Sequence, residues 1–115
     1  MRDKWLAILL CIHGCTTDGT QATRSADEWL GRWTGPEGTY LEVAAAANGA
    51  YAITVKDLDR ARTFSGSAVG RGIEFRRDGT SETLKATDGD ATGMKWLAGK
   101  KNCLTIKPGE GYCRD

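Results

Sequence analysis

Four cysteines, Cys11, Cys15, Cys103 and Cys113, and a single histidine, His13, are the side chains of this 115-residue chain best suited to nucleophilic, redox or metal chemistry. A tetrahedral metal site built on the late pair, Cys103 and Cys113, needs two further Cys or His ligands. Ser25, Ser65, Ser67 and Ser81 lack the Gly-x-Ser-x-Gly spacing that presents a nucleophile on a sharp turn. The acid pairs Asp57 with Asp59 and Asp88 with Asp90 fall at turn positions, where carboxylates commonly bond local backbone instead of flanking a glycosidic bond. The second pair also lacks the further acids and the bidentate glutamate of a calcium loop. No glycine-rich phosphate loop follows a strand and opens a helix, so nucleotide binding lacks its physical basis.

The first fifteen residues read as an address. Arg2, Lys4 and the chain's own amine precede the apolar stretch Trp5 to Ile12, about eight residues long, within the range of about 7–15 for a secretory h-region and far short of the roughly 20 that span a bilayer. The stretch ends in Ile12-His13-Gly14-Cys15. This resembles the lipobox of bacterial lipoproteins, with an aliphatic residue three positions before the cysteine and a small one just before it; His13 stands where a small residue is usual. The resemblance implies removal of a signal peptide, residues 1–14, attachment of lipid to Cys15, and a protein held on a membrane by acyl chains. It also implies, with Thr16 rather than aspartate after the cysteine, retention in the outer membrane facing the periplasm. The mature chain then has no histidine, which excludes Ser-His-Asp and Cys-His catalysis and His-ligated metal. No cofactor or metal and no enzymatic activity are expected. Cys103 and Cys113, the only thiols left, are expected to form a disulfide in an oxidising compartment.

Residues 15–28 are polar and small, the composition of a flexible tether, and residues 29–115 form the folded domain. Fifteen glycines against two prolines point to tight turns between short strands. Tyr51, Ile53 and Val55 alternate with Ala52, Thr54 and Lys56; Ile73 and Phe75 alternate with Glu74 and Arg76; Leu104 and Ile106 alternate with Thr105 and Lys107. Turn signals lie at 35–38, 48–49, 57–59, 70–72, 78–79, 88–90, 98–100 and 108–109, the strongest being Asn48-Gly49 and Asp78-Gly79. The expected fold is all-β, a small antiparallel meander barrel or sandwich of about eight short strands. A short helical turn is expected at Ala26 to Leu30, with Asp27 as its cap. Gly31-Arg32-Trp33 resembles the Gly-x-Trp opening of lipocalin-like and avidin-like barrels, which implies a tryptophan plugging the closed end.

Sixteen basic and fifteen acidic residues leave a formal charge of +1, so no bulk field draws nucleic acid. Between Ala91 and Gly109, however, Lys95, Lys100, Lys101 and Lys107 occur without an acid. Either these lysines solubilise a sheet while Met94 or Trp96 fills the core, or Lys95, Trp96, Lys100 and Lys101 form a docking face for a periplasmic protein with an acidic surface. Glu110 and Tyr112 in the terminal hairpin are either presented by a rigid turn or packed inward. The expected function is a non-enzymatic protein-binding or inhibitor/immunity module. The alternatives are a small-ligand barrel with Trp29, Trp33 and Trp96 at its mouth, and a structural envelope lipoprotein.

Overall fold

The alternation read from the sequence becomes a closed barrel in the computed structural model, which describes residues 26–114. The segment expected to be a signal peptide, with Cys11 and His13, and the expected lipid site Cys15 lie outside the described residues. The strands are β1 (Gly31–Thr34), β2 (Tyr40–Ala45), β3 (Tyr51–Lys56), β4 (Ala61–Val69), β5 (Gly72–Arg77), β6 (Thr80–Thr87), β7 (Cys103–Lys107) and β8 (Glu110–Cys113). Each pairs antiparallel with the next, and β8 returns to β1. Of barrel and sandwich, the meander barrel is the arrangement formed.

Closure fixes which residues meet inside. Register pairs Val43 with Ile53, Ile53 with Phe64, Ile73 with Leu84 and Leu104 with Tyr112, so one parity of every strand faces the interior. Trp33, Leu41, Val43, Tyr51, Ile53, Ile73, Phe75, Leu84 and Leu104 fill it. Each such side chain contributes about 1.5–3 kcal/mol by leaving water. The turns follow the local chemistry: at Asp78-Gly79 both residues take positive φ, 53° and 81°, the geometry a two-residue hairpin requires.

Three features differ from the sequence reading. Ala26, inside the expected tether, is buried with Trp29 against the barrel end. Asp27–Trp29 does form a turn of 3-10 helix, but Asp27 does not cap it: its carboxylate accepts a 2.7 Å hydrogen bond from the Tyr51 hydroxyl. The third is the β6–β7 connection, residues 88–102. It holds two single-turn 3-10 helices, Asp90–Thr92 and Lys95–Leu97, and no strand. It lies over the outer face of the β7–β8 hairpin, which is why Thr105, on the outward parity, is buried as well as Leu104 and Ile106.

Candidate functional site

Beneath the β6–β7 connection lies a second, smaller apolar cluster of Leu97, Cys103 and Cys113, with Met94 packed on it. Cys103 and Cys113 stand opposite one another in register and are joined by a disulfide. The connection is fixed at several points along its length. The Gly89 amide donates to the Lys100 carbonyl (2.8 Å), the Gly109 amide to the Thr92 carbonyl (2.8 Å), and the Arg114 amide to the Asn102 carbonyl (3.0 Å). The Gly99 amide donates to the Asp90 carboxylate at 3.1 Å, and the Ala91 amide to Asp88 at 2.9 Å. Asp88 and Asp90 therefore serve turn structure. A side chain at position 89 would force the backbone here to shift, since a Cβ there would sit 1.7 Å from the Leu97 carbonyl oxygen.

This fixed connection carries four of the residues singled out from the sequence. Lys95 and Trp96 occupy its second 3-10 turn, and Trp96 is 74% exposed, the most exposed large apolar side chain among the described residues. Trp96 therefore does not fill the core; Met94, two residues earlier, packs on the smaller cluster instead. Lys100 is half-buried and Lys101 exposed at the connection's end. Glu110 and Tyr112, in contrast, are not presented by the hairpin. Tyr112 is 5% exposed in the main core, and Glu110, on the same interior parity, reaches Arg77. The hairpin tip is Pro108-Gly109 alone.

One end of the barrel is closed by the 3-10 turn at Asp27–Trp29. The Trp33 indole donates to the Trp29 carbonyl at 2.8 Å. The Arg114 guanidinium stacks on the Trp33 ring, 3.9 Å from its centroid, and donates to the carbonyls of Glu28 (2.6 Å) and Leu30 (3.0 Å). Beside this closure runs a groove of about 530 Å³ that touches Trp29, Trp33, Ala86, Lys101 and Arg114. It continues past Trp29 and Ala86 into a second depression of about 310 Å³ at Arg71 and Gly72, then a third of about 430 Å³ at Val69 and Lys85. Ala86 shares the interior parity of Leu84 but is too small to fill the rim, which leaves the depression open. Trp29 and Trp33 thus meet in one groove; Trp96 is not among its lining residues.

At the opposite end, Arg77, Glu82 and Glu110 converge inside the barrel. Arg77 donates to Glu110 at 2.6 and 2.8 Å and to Glu82 at 2.9 and 3.3 Å. The Arg77 side chain is 11% exposed. Its hydrogen bonds to the Glu110 carboxylate, and then to Glu82, raise its already high pKa against the cost of desolvation. Burial, reinforced by the charge of Glu110, pushes the Tyr112 hydroxyl up to about 12. The sequence reading missed this triad, although strand parity carries it: Arg77 follows Ile73 and Phe75 by twos, and Glu82 precedes Leu84 by two. Two carboxylates here share one guanidinium, so both are committed to it and not disposed as an acid and a base. Among the described residues no group of three or more His, Cys, Asp or Glu could hold a metal ion. No protein-family model, no curated protein and no solved structure matches this chain.

Proposed function

We propose that this chain is a lipid-anchored lipoprotein of the outer membrane, attached through Cys15, whose barrel binds a periplasmic protein without catalysis, as an inhibitor or immunity module does. The observation that carries the binding role is Trp96. A large aromatic side chain left 74% exposed on a connection that is bonded to the barrel and braced over a disulfide costs little entropy to order on binding. Lys95 beside it, and Lys100 on the same connection, favour an acidic partner surface, while Lys101 at the connection's end lines the barrel-end groove. The Gly31-Arg32-Trp33 opening and the plugged end support a calycin-like reading of the barrel. The small-ligand alternative draws on the groove at Trp29 and Trp33 alone, since the barrel interior is filled.

Affinity capture from periplasmic extract, followed by titration of the isolated partner, tests the binding role. Trp96→Ser and Lys95→Glu should each weaken a saturable interaction at least about ten-fold, the scale of an interface anchor, with the thermal midpoint unchanged. A partner indifferent to both changes sinks this docking face. The anchor is tested separately by mass spectrometry, where a bare Cys15 still joined to residues 1–14 refutes it.

A further inference from the structure

We propose that the barrel end around Ala26 docks onto anionic phospholipid headgroups, a second membrane contact beside the lipid on Cys15. It rests on the lipid-anchor reading for its place in the cell, and on the structure for its chemistry. Ala26, where the described chain begins, lines the middle depression at this end. Only residues 16–25 separate it from Cys15, and ten residues span at most about 35 Å even when extended. The end that carries Ala26 is therefore the one tied closest to the bilayer.

The charges at that end suit such a surface. The three joined depressions are lined by Arg71, Lys85, Lys101 and Arg114 against a single acid, Glu28. Asp27, bonded to Tyr51, and Asp88 and Asp90, bonded to backbone amides, lie at this end but do not line the depressions. The far end carries no such excess: Glu37, Asp57, Asp59 and Asp78 stand there with Lys56, Arg60, Arg62 and Lys107. Val69, 53% exposed, and Leu30 add apolar area beside the basic depressions, as interfacial surfaces do. Each basic residue near an anionic leaflet strengthens partition about five-fold. With the acyl chains already holding the protein, this contact sets orientation: the barrel stands on its closed end, and Trp96, which lines none of the three depressions, stays clear of the headgroups.

The test uses the full protein purified from membranes and added to vesicles of phosphatidylcholine, alone or mixed with phosphatidylglycerol, with lysine acylation read by mass spectrometry. Lys85 and Lys101 should label several-fold more slowly on the phosphatidylglycerol vesicles only, while Lys56 and Lys107 label equally on both. High salt, or Arg71→Glu/Lys101→Glu, should remove the protection at Lys85. Equal labelling of Lys85 on both vesicles overturns the proposal. So does protection that appears only when periplasmic extract is added, which assigns the depressions to an acidic protein. The intact mass of the same sample reports Cys15 independently: protection with a bare Cys15 keeps the docking surface and refutes the anchor, and an acylated Cys15 without protection does the reverse.

Discussion

Arg77 occupies a position where a charge can persist only if it is matched. It enters the barrel end with two carboxylates bonded to it, and every donor–acceptor distance lies between 2.6 and 3.3 Å. Removing the cation strands two acids in a partly buried site, so Arg77→Met should cost about 3 kcal/mol at neutral pH. Glu82→Gln/Glu110→Gln added to Arg77→Met should restore much of that loss, since it removes the two charges left without their cation. Urea denaturation of the three proteins checks both, and a deficit that the double replacement leaves unchanged would contradict the pairing. Tyr112 makes stability depend on alkaline pH. Its folded pKa is about 12 against a reference of 10.0, so its neutral form contributes fully below pH 10, and that contribution is lost as pH rises from 10 through 12. Tyr112→Phe should flatten the stability profile in that window and remove a late component from the wild type's absorbance titration at 295 nm. Both residues stood in plain view in the sequence. Arg77 escapes notice in the sequence because charge counting ignores parity, and Tyr112 stays open because a hairpin residue can face either way until register is known.

At the level of elements, turns were legible and coverage was not. Every turn signal named from sequence falls at a turn or within a connection, since Asn-Gly, Asp-Gly and Pro-Gly act through their own dihedral angles. The segment 88–102 acts through partners remote in sequence, and its role follows only once Cys103 and Cys113 are seen on the outer face of β7–β8. Met94 or Trp96 is the expected core contribution from its sequence; Met94 and Leu97 pack on the smaller cluster and Trp96 is exposed. The segment is thus a second layer over one wall of the barrel, and it can be loosened without opening the main core. Gly89→Ala places a methyl against the Leu97 carbonyl and should cost about 2 kcal/mol or more, with faster hydrogen exchange over 89–100 and native protection kept in β3 to β5. Replacing the cystine by two serines should cost roughly 2–3 kcal/mol in the chain-entropy model for a separation of 10 residues, and loosen the same segment. Uniform loss of protection across all strands would refute a separable layer.

For the whole molecule, the demand is closure, because a barrel has no edge to protect only if its first and last strands meet. They meet sparingly. β1 and β8 register through the single pair Thr34 with Cys113, supported by the Thr34 hydroxyl on the Cys113 carbonyl at 3.1 Å, whereas β2 and β3 are in register from Tyr40 to Ala45. What reinforces this seam is the clasp at the closed end. Arg114, one residue beyond β8, stacks on Trp33 of β1 and holds the carbonyls of Glu28 and Leu30, so it ties the C-terminal strand to the N-terminal turn and to the first strand at once. A cation–π contact and two charged hydrogen bonds at an exposed residue together contribute about 1–3 kcal/mol. Arg114→Ala should lower stability by that amount and open the seam first: exchange should quicken over 26–34 and 110–113 while β3 to β5 stay protected. Arg114→Lys keeps the charge and one donor but loses the planar stack and the forked pair of bonds, so it should recover less than half of the loss. If Arg114→Ala lowers protection no more at the seam than in β3, the barrel is closed by its interior packing and not by this clasp.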